Sequence, residues 1–367
     1  MTELTCGFIG LGLIGGSIAR ALKEKKGNSV QILAFDPNPD TLQLALSQQI
    51  ADQALSDIDA RIKQCDYVFL CAPVEQNAEN LIQLKKHLSK DCILTDVGSV
   101  KSDICRQIQA AGLEHCFIGG HPMAGSERTG FANSKARLLE NAYYILTPSA
   151  SVPETKVQSF QGLVSSLGAI PLVLTPKQHD YVTGAVSHLP HVIAASLVNL
   201  IEKSDTSEGI MKMIAAGGFK DITRIASSAP EMWQQICLAN ADNISELLGC
   251  YISDLLTIKE MLDDKNSLAL TSFFKEARDY RASFMDASRG PIKKAYVLTV
   301  DIADQPGAIA TIATLLAEQN ISIKNIGITH NREVQEGALR IEFHEESAVG
   351  LARELLSSKG YASYEKQ

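Results

Sequence analysis

The sequence predicts an α/β chain in three parts. A doubly wound, mainly parallel sheet occupies residues 1–176, an all-α helical domain 177–288, and a small α+β module of βαββαβ order 295–367. Two observations carry this prediction. Short apolar runs alternate with helical patterns up to Pro176, and strand signals then vanish until the linker Arg289-Gly-Pro-Ile-Lys-Lys294 has passed. The length agrees, since 367 residues at about 150 per domain gives two to three domains.

Cys6–Gly10, Val30–Asp36, Tyr67–Pro73, Ile93–Ser99, Phe117–His121, Ala142–Pro148 and Ile170–Pro176 read as strands. Helical patterns such as Ile14–Glu24, Asn77–Leu88 and Val100–Ala111 separate most of them, as parallel pairing requires a crossover. Beyond Lys177, Val182, Val186, Leu189, Ile193, Leu197 and Leu200 recur at helical spacing, and Trp233–Leu262 repeats the pattern. The opposite side of the first helix carries Gly184, His188, His191, Ala195 and Asn199. That small, polar stripe suits a helix packed on both faces, against an interdomain cleft or a dimer partner. Pro190 removes a backbone donor and is expected to kink the helix beside the two histidines. The last part reads strand Ala295–Ile302, helix Gly307–Gln319, strands Ser322–Asn331 and Ala338–Phe343, helix Ala348–Lys359 and strand Tyr361–Glu365.

Composition excludes several classes. Hydrophobic residues make 45% and charged residues 21%, so the chain has a core to bury. A net charge of −8 gives no reason to expect nucleic acid. The eight cysteines form no CxxC pair, which argues against a zinc ribbon or dithiol motif and for reduced thiols in the cytoplasm. The apolar run Leu4–Ala19 is broken by glycines and lacks a basic flank, unlike a secretory signal. No other apolar stretch of about 18 residues is expected, and the chain reads as soluble, with no membrane partner.

Gly10-Leu-Gly12-Leu13-Ile14-Gly15 follows an apolar strand and opens a helix. The first glycine permits the tight turn, the second the approach of a pyrophosphate, and the third close helix–strand packing. Asp36 ends the next strand 21 residues past Gly15, where a carboxylate binds the ribose hydroxyls of a dinucleotide. The pattern is Rossmann-type. With no arginine in Phe35–Asp40 to receive a 2′-phosphate, NAD is favoured over NADP. Ala72, Pro73 and Val97-Gly98-Ser99 stand at the carboxyl ends of later strands, beside the same cofactor. Ser99 is either a site hydroxyl or a helix N-cap. His121, in Gly119-Gly-His-Pro-Met-Ala-Gly-Ser-Glu127, ends a strand facing the cofactor, a place that suits proton transfer.

Gly10–Gly16, Asp96–Lys101, Gly119–Glu127, Ser187-His-Leu-Pro-His191 and Gly217-Gly-Phe-Lys-Asp-Ile-Thr-Arg224 together resemble the prephenate dehydrogenases of tyrosine biosynthesis. Asp304-Gln-Pro306-Gly307 and Ile321-Ser-Ile-Lys-Asn325-Ile326 resemble an ACT domain, a ferredoxin-like regulatory module. The resemblance runs in order over essentially the whole chain. It implies NAD-dependent oxidative decarboxylation of prephenate to 4-hydroxyphenylpyruvate without a metal. His121 is implied as the group that takes the hydroxyl proton, with Ser99 orienting it. Arg224 and His191 are implied as substrate contacts, with Gly217 allowing close backbone approach. Trp233 completes the pocket, from this chain or a partner's. Glu127 is either a pocket gate or a surface loop residue.

Some alternatives stay open on the residues alone. Arg224 can bind a substrate carboxylate, pair with Asp221 on one helix, or do both. The ACT module either binds L-tyrosine through Asp304, Pro306, Gly307 and Asn325 or is a purely structural pair. Arogenate dehydrogenase is the rival within the family, and a non-catalytic NAD- and amino-acid-sensing regulator is the rival outside it. The helical domain is expected to join two copies as a homodimer.

Overall fold

The computed structural model describes residues 4–73, 76–126, 128–284, 296–302, 305–329 and 337–365. A parallel ladder starts the fold. Strands β1 (Leu4–Ile9), β2 (Val30–Phe35), β3 (Gln53–Leu55), β4 (Tyr67–Leu70) and β5 (Ile93–Asp96) form one sheet in the order β3-β2-β1-β4-β5. All its pairs are parallel. Helices α1 (Leu13–Lys26), α2 (Pro39–Ser47), α3 (Asn77–His87) and α4 (Ser102–Ala111) make the crossovers. The strands are apolar almost throughout because both sheet faces are covered. One core gathers Phe8, Ile18, Leu22, Ile32 and Phe69, and another Ile9, Leu33, Val68, Leu94 and Ile104.

The sheet is then extended differently. Strands β6 (Ile118–Pro122), β7 (Tyr143–Pro148) and β8 (Ile170–Val173) form a second sheet in sequential order, with α5 (Glu154–Ser166) before β8. Its β6–β7 pair is antiparallel and its β7–β8 pair parallel. A single parallel bridge, Leu94 to Phe117, joins it to β5. The mainly parallel, doubly wound expectation holds. Two details differ: β3 has only three residues and gives no periodic signal, and several strands end early. The residues cut off, among them Ala72, Pro73 and Val97–Ser99, turn out of the sheet at its ligand-binding edge.

Helices follow: α6 (Pro176–Thr183), α7 (Leu189–Ser204), α8 (Ile210–Ile214), α9 (Gly217–Thr223), α10 (Pro230–Ala239), α11 (Ala241–Asp263) and α12 (Ser267–Ser283). A π turn at Gly184–His188 joins α6 to α7, and the Leu189 N–H bonds the Gly184 carbonyl five residues back. Pro190 therefore sits in the first turn of α7, in the middle of a continuous helical run from Pro176 to Ser204. The widened turn takes up the defect created by its missing N–H, beside the two histidines as expected for a helix irregularity at proline.

Two readings of this helix are corrected. Pro176–Ser204 is a 29-residue helical run of mean hydropathy 1.4, long and apolar enough to cross a membrane by length and composition, although no such stretch was expected. It carries the fully buried His179, Asp180 and His188, which pack inside the protein. The faces are mixed: Ala195 and Asn199 of the polar stripe are exposed, and Leu189, Ile193 and Leu197 are half-buried. Gly184 and His188 are buried, whereas Val186 is 65% and Leu200 58% exposed.

The chain divides into two compact units, at Phe274 and Lys275. In the second, β9 (Tyr296–Ile302), α13 (Ala308–Glu318), β10 (Ile323–Thr329), β11 (Gly337–Phe343), α14 (Glu346–Ser358) and β12 (Ser363–Glu365) give the βαββαβ order. Its antiparallel sheet runs β10-β11-β9-β12, and the core holds Leu298, Val300, Ile312, Leu316, Ile341, Phe343 and Leu356. This is the ferredoxin-like ACT arrangement.

Candidate active site

The βα turns after β1 and β4 meet where the strand order reverses, outside which ligands of such sheets bind. Gly10 has φ +96°, and a Cβ there would come within 2.7 Å of the Ala72 nitrogen. On Gly15 it would stand 2.7 Å from the Gly10 carbonyl oxygen, so the helix can start against the turn only with glycine. Gly12 differs, since a Cβ there would meet no atom within 4 Å. The cradle is open at that point. The helix begins at Leu13 and Ile14 with no acidic side chain in its first turn, so its N–H groups face an anion unopposed.

Asp36 follows β2, and its carboxylate accepts the Leu11 N–H at 2.8 Å and the Asn38 N–H at 2.9 Å. A carboxylate has about four acceptor positions, so ribose hydroxyls can be held besides these two. The glycine turn, helix start and acid together fit NAD. Ala72 backs the glycine turn, while Pro73 lies exposed beyond it.

A buried ion pair ties the next two turns together. The Asp96 carboxylate accepts N–H groups from Gly98 at 2.9 Å and Gly120 at 3.1 Å, and pairs with the Lys101 ammonium. Lys101 is wholly buried and also donates to the Gly120 carbonyl at 2.7 Å. Ser99 directly follows one stapled glycine and His121 the other. Ser99 does not cap α4, which starts at Ser102. The N–H groups of Lys101 and Ser102 are instead taken by the Asp180 carboxylate, at 2.7 and 2.8 Å.

His121 lies on β6, nearly buried, with Nδ1 2.8 Å from Nε2 of His179. Nδ1 of His179 is in turn 2.7 Å from Asp180. Burial pushes the Asp180 carboxyl up, but hydrogen bonds from His179, Ser102 and Lys101 outweigh it and hold the acid below its usual range. An ionised Asp180 accepts a hydrogen bond from His179 Nδ1–H, so His179 Nε2 accepts from the Nδ1–H of His121. The Nε2 of His121 is then left with its lone pair. Burial, helped by His179 and Lys101, keeps the His121 pKa well below 6.5, so the ring is a neutral base at neutral pH.

A second cluster, in the helical domain, is aromatic. Trp233, on α10, stacks on His191 of the same chain at 3.6 Å between ring centroids. The Ser187 carbonyl accepts from His191 Nδ1–H at 2.9 Å, which leaves His191 Nε2 as an acceptor. Burial lowers the His191 pKa, and the nearby Arg224 guanidinium lowers it further. Arg224 is exposed on a 3₁₀ turn after α9, and Gly217 opens α9 with no atom near its Cβ position. The structure thus gathers His121 with His179, and His191 with Trp233 and Arg224. Glu127 lies outside the described residues.

Sequence reasoning missed Lys101, His179, Asp180 and Asn240 as site components. Asn240 donates to the Asp180 carbonyl at 2.8 Å and to His188 Nδ1 at 3.1 Å. His179 and Asp180 look locally like the start of a capped helix, Thr175-Pro-Lys-Gln178, and nothing there signals a site. In the second unit, Pro306 and Gly307 form the turn before α13, with Gly307 at φ +90°. Asn325 is exposed on β10 and accepts the Ile326 N–H at 2.9 Å, while Asp304 lies outside the described residues. Among the described residues no cluster of three or more His, Cys, Asp or Glu could hold a metal.

Comparison with known proteins converges on one family. Residues 18–181 match the model for the nucleotide-binding domain of prephenate dehydrogenase, and residues 175–276 match that for its dimerization domain. The chain is 37% identical to prephenate dehydrogenase of Bacillus subtilis over 97% of its length and 96% of the relative's. It is 34% identical to the Lactococcus lactis enzyme over 95% of this chain and 96% of that one. Among solved structures, prephenate dehydrogenase from Aquifex aeolicus, in complex with hydroxyphenyl propionate and NAD+, superposes with a TM-score of 0.72 at 32% identity. That match covers 77% of this chain and 99% of the other. With a dinucleotide cradle beside a buried neutral histidine, and near full-length likeness to these enzymes, the chain belongs to the prephenate dehydrogenase family of NAD-dependent oxidoreductases.

Proposed function

We propose that the protein oxidatively decarboxylates prephenate to 4-hydroxyphenylpyruvate and that His121 Nε2 is the proton acceptor. The observation that carries the reading is the Asp180–His179–His121 relay, which leaves a lone pair on Nε2 of a neutral, buried ring. When bound, NAD supplies the acceptor for the hydride of the hydroxyl-bearing ring carbon. His121 takes the hydroxyl proton as that carbon becomes a carbonyl. The ring carboxylate leaves as carbon dioxide, its bonding pair passes into the ring, and His121 returns the proton to the phenolate oxygen. Asp180 holds the imidazolium in place through His179 without taking the proton itself. Ser99 orients the hydroxyl, and Arg224 and His191 bind the acid side chain. Gly217 gives close approach, Trp233 closes the wall, and Glu127 gates it. Gly10, Gly12, Leu13, Ile14, Gly15, Asp36, Ala72 and Pro73 hold the dinucleotide.

This reading keeps the division at 1–176, 177–288 and 295–367, and joins two copies through the helical domain. Val186, Leu200, Met213, Ile222 and Leu238, each more than half exposed, give that domain an apolar face for a second copy to cover. L-tyrosine is the effector, held by the turn with Asp304, Pro306 and Gly307 and by Asn325 of a paired ACT module. The free state of all eight cysteines fits a reducing cytoplasm.

The test is NADH formation by the purified protein with prephenate and with arogenate, each with NAD and NADP. Turnover of prephenate with NAD well above the other combinations is expected. A strong preference for arogenate, or no turnover, would overturn the substrate assignment.

A further inference from the structure

Lys101 takes no part in the steps above, yet its charge is wholly buried beside them. The ammonium pairs with Asp96 and donates to the Gly120 carbonyl at 2.7 Å. Taking such a group out of water is costly, and an apolar pair of similar volume often holds a fold as well. Stability alone is therefore a poor reason for the pair.

Its position gives a better one. The Asp96 carboxylate accepts the Gly98 N–H at 2.9 Å and the Gly120 N–H at 3.1 Å, one residue before Ser99 and one before His121. The carbonyl that the ammonium holds belongs to the peptide bond between Gly120 and His121, so that peptide is fixed as well. The main chain of Lys101 reaches the relay. Its N–H donates to Asp180 at 2.7 Å, and Asp180 stands 2.7 Å from His179 Nδ1, behind His121. The fit has no slack, since a Cβ on Gly119 would lie 3.2 Å from Lys101 Cδ and one on Gly98 2.9 Å from Asp96 Oδ2.

We propose that Lys101 is a positioning residue of the reaction, which fixes Ser99, His121 and Asp180 against one another and sets a positive charge beside the His121 ring. The inference rests on His121 as the proton acceptor assigned above. The ionisable groups around that ring are His179 and Asp180 of α6, His188 of the π turn, Tyr144 of β7, and Lys101 with Asp96. Burial first, then His179, Lys101 and His188, lower the His121 pKa. Burial keeps both other histidines neutral at neutral pH, and raises the Tyr144 pKa so that its hydroxyl stays protonated. The Lys101 ammonium is then the cation facing His121, and it keeps the ring ready to accept a proton.

The test compares Lys101→Met, which keeps most of the stem and loses the charge, with Lys101→Arg, which crowds Gly119 and keeps it. Protonation of His121 is followed by NMR of the full chain carrying isotope-labelled histidine, with His121→Asn to assign the signal. In Lys101→Met the loss of the cation and the unpaired Asp96 both push the His121 midpoint up, towards 6.5. Its kcat should fall about 10- to 100-fold as the set loses its spacing, with the KM for NAD within about twofold. In Lys101→Arg the midpoint should stay at its wild-type value even where kcat falls. If Lys101→Met does not fold, Lys101→Gln, which keeps an N–H for the Gly120 carbonyl, carries the same expectation for the midpoint. The titration needs no turnover, so a wild-type rate in His121→Asn would count against the proton acceptor and leave the Lys101 readout standing. A midpoint unmoved by loss of the charge, a midpoint moved as far by Lys101→Arg, or a lowered Tm with kcat within about twofold of wild type, would overturn the proposal.

Discussion

Replacing His179 tests how His121, the proposed proton acceptor, is held. The relay bond of 2.8 Å joins two buried rings, and its proton runs from His121 to His179 because Asp180 fixes the far end. In the ground state this is a bond between neutral partners, worth about 1 kcal/mol, whereas once His121 is protonated it becomes charge-assisted, at about 1.5–3 kcal/mol. Only the difference acts on the chemical step. His179→Leu also frees His121 to carry its proton on Nε2, the nitrogen that has to accept. Together these predict a fall in kcat of about 10- to 100-fold, at roughly 1.4 kcal/mol per tenfold. The KM for NAD should not change. His179→Gln should recover part of the rate, because its amide oxygen can accept from His121 near the Nε2 position although the donor to Asp180 is given up. Steady-state NADH formation at saturating prephenate and NAD gives the comparison, with circular dichroism to confirm folding. A folded His179→Leu variant within twofold of the wild-type kcat, or a His179→Gln variant as slow as His179→Leu, would refute the relay.

Further outcomes follow from the same geometry. His121→Asn should lower kcat by about 10²–10⁴-fold with little change in substrate binding, and near wild-type turnover would remove His121 from the mechanism. Arg224→Gln should chiefly raise KM for prephenate, while an unchanged KM with a lower Tm would favour a structural ion pair with Asp221. Stability should fall as pH drops from about 6.5 towards 4, because His121, His179 and His188 hold folded pKa values below 6.5 and the unfolded chain binds their protons first. Urea midpoints that stay constant between pH 7.5 and pH 5 would contradict this assignment of neutral rings. L-tyrosine should inhibit, and Asn325→Ala should weaken that inhibition without altering kcat at zero tyrosine. Purely competitive inhibition that survives Asn325→Ala would move the effect to the active site.

What could be read in the sequence was what is local. The glycine turn is legible because a left-handed Gly10, an open Gly12 and a tight Gly15 impose residue types at fixed offsets. His121 is legible because a strand end at the ligand-binding edge is itself a local feature. The relay is not legible. His121 and His179 are 58 residues apart, and Asp180 reaches the N–H groups of α4 79 and 78 residues upstream. Locally Thr175–Gln178 announces only a helix start, because its capping box satisfies the same chemistry at any helix N-terminus. Lys101 was invisible for the opposite reason. A lysine at a turn ordinarily faces water, and only the Asp96 carboxylate and the Gly120 carbonyl make its burial tolerable.

The helix from Pro176 to Ser204 explains the one misreading that matters for function. Periodicity gave a regular helix packed on both faces, with the apolar residues on one side and His188 and His191 on the other. Nine residues at about 100° each put His188 roughly 180° round a regular α-helix from His179, on the far side from the relay. His191, twelve residues on, would lie about 120° away. The π turn at Gly184–His188 inserts one residue into the count. That brings His188 to about 80° and His191 to about 20° from His179, so all three rings turn to one side. Pro190 is what makes the wide turn affordable, since it has no N–H with which to close a regular one. Once the polar rings face inward, Val186 and Leu200 are left on the outside, in the domain whose family model is one of dimerization. The inward turn of the three rings and the exposure of Val186 thus go with one feature, the change of helical phase just before Pro190.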